Sequence, residues 1–416
     1  MTVIQNIKSE FSDLFLEESW SSRTFLAGAF ALLIGVFTSN ALMTISVVLV
    51  GFSYLIRTIE SKKFLWPKPL HWVGILLYVL MATSYLWAEP NQEEYMHNLR
   101  IKASWLIVTV GFIGLQPKKK WLMPLLWIFA ISAFITAALS VGNYFMHYEE
   151  MNEMIKHSKP IPIINGFWHI PFSYLLAFSI LSAGYLAVQK KGVYRTLLIL
   201  LAAFNFIFIH ILTARTGLVA LYAAGLFLLA WSVFKKGYWK HGIIGGIGIA
   251  LAVILAVAYI PSLNNRYDNT VKDLKHVLAG GNANYHSGGM RVKAIQAGWL
   301  VFTENPVSGV GMGNLRSAII QAYDDLDAKL LPENQINPHN QFLNFMVITG
   351  TLGLVLFVLF WAIPFLRFKK LSLLFVLFVV LSFVAMNFEA LLERQIGVSF
   401  FPFMFLLLSS NSISSE

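Results

Sequence analysis

NPHNQFLNFMVITGTLG, residues 337–353, opens a run that continues to residue 363 without a charged side chain. At ~1.5 Å of rise per residue, a helical run of that length crosses a hydrocarbon core of roughly 30 Å. Its first residues are polar, so the stretch raises two questions: what surrounds it, and why Pro338, His339 and Asn340 stand at its mouth. A histidine there is either solvated at a membrane surface or satisfied inside the protein.

The rest of the chain answers the first question. Of 416 residues, 57% are hydrophobic and only 12% charged, with a mean hydropathy of +0.65. Polar surface is too scarce to cover a water-soluble globule of this size. Apolar runs recur near residues 25–38, 40–56, 70–87, 99–115, 121–145, 167–188, 196–212, 216–234, 243–260, 340–363, 371–387 and 396–409, the first two being the shortest. The expected fold class is therefore an all-α integral membrane protein of about twelve transmembrane helices. Spans 1–9 form a membrane bundle over residues 1–260, a helical loop follows over 261–338, and spans 10–12 complete the bundle over 339–416.

Basic residues fall in every second connector: Arg57, Lys62, Lys63 and Lys68; Lys118, Lys119 and Lys120; Lys190, Lys191 and Arg195; Lys235, Lys236 and Lys240; Arg367, Lys369 and Lys370. The intervening connectors are acidic, with Glu89, Glu93 and Glu94 in one and Glu149, Glu150 and Glu153 against Lys156 and Lys159 in another. The positive-inside rule then predicts cytoplasmic termini and an outward-facing loop over 261–338. The net charge of +10 is carried largely by the inner connectors, which attract anionic membrane lipids; it gives no reason to expect nucleic-acid binding. The first twenty residues contain no signal-peptide core, so the first span is expected to be an uncleaved anchor. Zero cysteines exclude disulfides, thiolate catalysis and Cys-ligated zinc.

Within the loop, MRVKAIQAGWLVF from Met290 places Val292, Ile295, Trp299 and Phe302 at helical spacing, ended by Glu304, Asn305 and Pro306. This predicts an amphipathic helix able to lie on the membrane. A second segment from Leu315 repeats the pattern with Ile319, Ala322 and Leu326. GVGMGN, residues 309–314, lacks the preceding strand and the Lys-Ser/Thr of a phosphate loop and reads as a turn between the two helices.

The cores of the spans hold no Asp or Glu, and no internal repeat is visible, which disfavours an ion-coupled transporter. Ionisable residues gather instead at outer span ends and in the loop: Arg100, Lys102, His169, His210, Arg215, Arg291 and His339. Arg215 lies in the hairpin tip LTARTG, where Thr213, Arg215, Thr216 and Gly217 offer a guanidinium, hydroxyls and helix N-terminal amides to an anion; the bland alternative is interfacial snorkelling. Arg291 follows HSGGM at the start of the amphipathic helix, where a solvated arginine is the ordinary case. Asp325-Leu326-Asp327 matches an Asp-x-Asp metal pattern but also an ordinary solvated helix face, which is the better reading. For His339, Pro338 predicts a place in the first turn of a helix, where the macrodipole disfavours imidazolium and leaves a ring able to accept a proton near neutral pH.

His339-Asn340, nine residues, then Gly350-Thr351-Leu352-Gly353 resembles the H-[NSQ]-x9-G-x-x-[GTY] signature of the O-antigen ligase family. The TARTG hairpin, the stretch SGGMRVKAIQAGWLVFTENPVSGVGMGN and the long outer loop are similar to the same superfamily, which includes O-antigen polymerases and protein O-oligosaccharyltransferases. The resemblance implies a GT-C type glycosyltransferase on the periplasmic face of the bacterial inner membrane. Such an enzyme moves a glycan from an undecaprenyl-diphosphate donor to a lipid A-core acceptor. Apart from the resemblance, two guanidiniums on the departing diphosphate need no metal or other cofactor, and direct displacement by the acceptor inverts the anomeric configuration. Carried over, Arg215 and Arg291 match the arginines that hold the diphosphate, and His339 matches the base. Asn340, Trp168, His169, Arg100 and Lys102 are further candidates to line the site. Polymerase and protein-glycosylating activities remain alternatives, as does a lipid or polysaccharide transporter, which needs no proton-abstracting histidine.

Overall fold

The computed structural model describes residues 18–88, 91–156, 162–164, 168–212, 214–236, 283–284 and 286–413, with isolated positions among the rest. Regular structure among the described residues is entirely helical. In chain order the helices are α1 (Trp20–Thr38), α2 (Asn40–Ser61), α3 (Pro69–Thr83), α4 (Gln92–Gly111), α5 (Lys119–Met146), α6 (Tyr148–Lys156), α7 (His169–Gln189), α8 (Gly192–Leu212) and α9 (Arg215–Lys236). Then follow α10 (Ser287–Glu304), α11 (Leu315–Asp325), α12 (Gln341–Ala362), α13 (Leu373–Phe388) and α14 (Gln395–Ile413).

Eight of these are long and apolar enough to cross a membrane: α1, α2, α3 with the 3-10 turn that extends it to Leu86, α5, α7, α8, α9 and α12. Three more of the twelve expected spans are present as helices that fall short of that measure. α13 and α14 are shorter apolar helices, and α4 carries Glu93, Glu94, Arg100 and Lys102 along its first half. The expected span at 243–260 lies outside the described residues apart from isolated positions. The two runs that looked shortest are complete helices, because Ser39 ends α1 and caps α2 by accepting from the Ala41 N–H at 3.2 Å.

α14 is the hub. Phe400, Phe401 and the whole of Phe403–Leu408 are buried, so the helix is covered on all sides, as an apolar helix without a polar face must be. Its phenylalanines meet every quarter of the bundle: Phe400 stacks on Phe129 of α5 at 5.1 Å, Phe401 on Trp361 of α12 at 5.1 Å and on Phe378 of α13 at 5.9 Å, and Phe403 on Phe25 of α1 at 6.1 Å. Aromatic pairs at these separations add about 0.5–1.5 kcal/mol each beyond area burial.

Arg57 corrects one reading of charge. It does not stand in a basic connector but is buried within α2, donating to the carbonyls of Gly111 at 3.1 Å and Ile113 at 2.7 Å. A guanidinium there satisfies acceptors that the end of α4 leaves open.

α12 contains the decisive irregularity. Gly350 takes φ 62°, ψ −158°, breaking the helix about 13 Å from its start at 1.5 Å per residue. In an unbroken helix the N–H groups of Thr351 and Leu352 bond the carbonyls of Val347 and Ile348. Here the segment after α10 takes both places. Val310 N–H donates to Val347 O at 2.9 Å, Gly311 N–H to Ile348 O at 2.9 Å, and Thr351 N–H to Pro306 O at 2.8 Å. The Thr351 hydroxyl also donates to Pro306 O at 2.8 Å. Broken backbone at membrane depth is tolerated only when protein satisfies it, and residues 306–311 do so. The approach admits no side chain: a Cβ on Gly309 would lie 2.5 Å from the Ile348 carbonyl carbon, and one on Gly350 would collide with Val307 O.

Gly350→Ala should cost on the order of 3 kcal/mol, from strain at positive φ and lost backbone hydrogen bonds. The check is thermal unfolding in detergent beside Gly142→Ala, a helical position with open space around it. Equal midpoints for the two variants contradict the docking of 306–311 into the break.

Candidate functional site

Asn340, not Pro338, starts α12. Its backbone is extended (φ −149°, ψ 117°) and its Oδ1 accepts the Leu343 N–H at 3.0 Å, the ordinary work of an N-cap asparagine. His339 therefore precedes the helix and does not sit in its first turn, which corrects the expectation drawn from Pro338. Pro338 instead packs on α10 at Gly298, where an added Cβ would lie 2.8 Å from Pro338 Cγ and 3.0 Å from Leu343 Cδ2. The segment leading to it is held by α11: Tyr323 OH donates to Ile336 O at 2.7 Å and the Arg316 guanidinium donates to Gln335 O. Burial pushes the Tyr323 phenol up to about 12, so it remains a donor at neutral pH.

His339 is oriented by a carboxylate that sequence reasoning missed. Its Nδ1 lies 2.8 Å from Glu389 Oε2, at the end of α13, with the imidazole 27% and the carboxylate 13% exposed. An ionised carboxylate only accepts, so Nδ1 carries the proton and donates it, and in the neutral ring Nε2 keeps its lone pair. Nε2 is thus the atom able to take a proton from a substrate. The Asn340 side chain reinforces the pairing by donating to Asn387 O at 3.3 Å, which ties the start of α12 to the end of α13.

The segment after Glu389 is fixed from below. Gln341, fully buried, accepts the Leu392 N–H at 2.6 Å and donates to Glu393 Oε1 at 3.2 Å. Lys102 is also buried and places Nζ 2.9 and 2.8 Å from the two Glu393 oxygens. Expected as a lining cation, Lys102 is instead half of an ion pair that anchors the turn carrying Glu389. A buried pair with both partners hydrogen-bonded is sustainable, whereas removing one member leaves a costly charge.

The remaining candidates separate. Arg291 is half-buried on the first turns of α10 and makes no hydrogen bond or ion pair among the described residues. Its helix meets the start of α12 through small residues, Ala294, Ala297, Gly298 and Val301 being buried, while Val292, Ile295 and Trp299 point outward. That outward stripe is the one expected to meet lipid. In α11, Ile319 and Ala322 are buried as expected but Leu326 is 37% exposed, beyond the end of the helix.

Arg215 begins α9, half-buried and engaged with a neighbouring group. Thr216 beside it is buried, Gly217 packs on Ser173 of α7, and Thr213 lies outside the described residues. His210 is a satisfied pin between α8 and α9, with Nδ1 2.6 Å from Phe206 O and Nε2 2.6 Å from Tyr222 OH. Arg100 is exposed, donates to Met96 O at 3.1 Å, and lines an open groove with Asn91, Glu93, Glu94 and His97. Asp325 accepts from Gln321 and Asp327 pairs with Lys329 at 3.5 Å. Trp168 and His169 stand at the start of α7, with the Trp168 ring under Arg394.

Gly217 of α9 packs on Ser173 of α7, Trp168 before α7 meets Arg394 after α13, and His339 before α12 meets Glu389 at the end of α13, so the starts of α7, α9 and α12 and the end of α13 lie at one end of the bundle. Residues 197–358 match a protein-family model described as O-antigen ligase. The O-antigen ligase of Salmonella typhimurium is 26% identical over 230 residues, which are 50% of this chain and 52% of the relative. The chain thus spans about half the length of that curated relative. Arg215, Arg291, His339, Gly350 and Gly353 fall within the matched segment; Glu389 falls after it.

Glu389→Ala frees the imidazole and should lower any turnover that depends on His339 by roughly 10²-fold, the lower end of the general acid–base range. Single-turnover rates measure it, with Glu389→Asp expected to recover part of the loss. Wild-type rates in Glu389→Ala would break the assignment of Glu389 as the orienting group.

Proposed function

We propose, from the O-antigen ligase family that the match over residues 197–358 and the Salmonella relative support, that this chain transfers a glycan between lipid carriers. The donor is an undecaprenyl-diphosphate-linked glycan and the acceptor a sugar of lipid A-core. The observation that carries the reading is the His339 Nδ1 to Glu389 Oε2 contact of 2.8 Å at the mouth of α12.

Glycosyl transfer from a diphosphate needs two things of a protein. The acceptor hydroxyl must lose its proton as it attacks the anomeric carbon, and the charge growing on the departing diphosphate must be met. His339 Nε2 suits the first task, since the Glu389 carboxylate stabilises the imidazolium as it forms. Arg291, without a protein partner among the described residues, and Arg215, at a helix N-terminus, suit the second. Two guanidiniums meeting the charge on the departing diphosphate supply the stabilisation without asking for a metal ion. Direct displacement inverts the anomeric configuration.

The outward stripe of Val292, Ile295 and Trp299 on α10 supports a donor held at the lipid boundary, beside the helix that bears Arg291. Lys190 follows the far end of α7, and Lys235 and Lys236 end α9, each a helix length from the end of the bundle that holds His339, which supports a bacterial inner-membrane protein with cytoplasmic termini and a periplasmic site.

Purified protein in detergent, given both lipids and EDTA, should transfer glycan, and His339→Ala should slow transfer by at least ~10²-fold. Equal transfer by both proteins removes His339 as the base. Lengthening of the lipid-linked glycan without lipid A-core would make the chain a polymerase, and transfer to a peptide a protein-glycosylating enzyme.

A further inference from the structure

Arg394 stands at the turn from α13 into α14, five positions after Glu389. Its guanidinium carbon lies 3.5 Å from the ring centroid of Trp168, at the start of α7. At that distance one face of the cation is covered by indole while the N–H groups project sideways in its plane. None of those N–H groups has a hydrogen-bond partner among the described residues, and Arg394 forms no ion pair there.

Arg394 shares this with Arg291 but, unlike it, is held by a ring, and it differs from the arginines held by carbonyls. Arg57 donates to two carbonyls and Arg316 to one. Burial pulls the Arg394 guanidinium below the usual arginine range, and the nearby Glu389 carboxylate opposes that. A half-buried cation without an acceptor is costly, so its place is explained by a ligand that brings the acceptor. The stack has a second effect. A direct Arg394–Glu389 pair would compete for the carboxylate that orients His339, and stacking on Trp168 holds the guanidinium in place without one.

We propose that Arg394, held flat by Trp168, binds a phosphate group of a saccharide substrate beside the His339–Glu389 pair, through two parallel N–H bonds from its fork. Trp168 is a positioning residue in this assignment. The identity of the saccharide rests on the transferase reading; the anion chemistry rests on the geometry alone. Two sources carry such a group, the diphosphate of the donor and a phosphate on the acceptor sugar.

Binding is read first, on the purified full chain in detergent titrated calorimetrically with inorganic pyrophosphate. Arg394→Gln should weaken binding about tenfold or remove one binding event, as the loss of a bidentate charge-assisted contact requires. Trp168→Phe, which keeps a ring under the cation, should bind within about twofold of wild type, and Trp168→Ala should lose several-fold. Unchanged binding in a monodisperse Arg394→Gln protein overturns the assignment, as does a wild type that does not bind pyrophosphate. If Arg394→Gln does not fold, Arg394→Lys decides in the same way, because it keeps the charge and loses the fork.

Steady-state transfer then separates the sources. A raised donor KM assigns the diphosphate; a raised KM only for a phosphorylated acceptor, and not for its dephosphorylated form, assigns the acceptor. A fall in kcat with every KM unchanged overturns the binding role. Pyrophosphate binding needs no turnover, so Arg394-dependent binding by a wild type that transfers nothing would leave the anion site standing and remove the ligase reading.

Discussion

A membrane helix cannot leave a backbone N–H or carbonyl unpaired, and the break at Gly350 makes that rule the organising constraint of this protein. Positive φ at Gly350 frees the carbonyls of Val347 and Ile348 and the N–H of Thr351, and residues 306–311 pair with all three. The extramembrane segment is therefore not a lid resting on the bundle. It is inserted into α12, and with it comes α10, whose Gly298 closes on Pro338 and Leu343 at the mouth of the same helix. One backbone exchange thus sets the helix that bears Arg291 against the residues that bear His339.

On the other side of His339 the geometry is set by side chains. Asn340, His339 and Gln341 are consecutive and reach, in turn, Asn387 O, Glu389, and both Leu392 and Glu393. Lys102 then fixes Glu393 from α4. Three adjacent residues so stitch the start of α12 to the turn between α13 and α14. A carboxylate held this way has little freedom to leave the imidazole, which is what a supporting shell must provide.

Much of this was legible in the sequence, and the rest has a physical reason for being hidden. Hydropathy disclosed the helical membrane fold, because apolar length is a local property of a run of residues. It also disclosed α10 and α11, through periodicity. The outward stripe of Val292, Ile295 and Trp299 is the one the periodicity marks; what hydropathy left hidden is that the inward face is built of small residues that admit the neighbouring backbone, as membrane helix contacts favour. His339, Arg215 and Arg291 were marked by residue type at helix ends and by a signature. Glu389 was not, since its meaning lies in a partner fifty positions away, although a connector holding Glu389, Glu393 and Arg394 between two apolar runs was a visible concentration of charge. The two glycines of the signature read as mere pattern until Gly350 is seen at positive φ against Val307 and Gly353 against Thr349. Lys102 and Arg57 misled for one reason: a cation near a span end reads as exposed, and only packing reveals the carboxylate or carbonyls that accept it.

Assembly of the site from distant segments has a chemical consequence. The ring of His339 comes from the approach to α12, its orienting carboxylate from the end of α13, and the turn that carries the carboxylate runs straight into α14, the helix buried on every side. Contacts of the turn with Asn340, Gln341 and Lys102 hold Glu389 opposite Nδ1, where an untethered imidazole would present either nitrogen to a neighbouring group. Packing of the core selects one tautomer and one direction. The lone pair of the neutral ring is thereby assigned to Nε2 by the assembled bundle, at the end where α7, α9 and α12 begin.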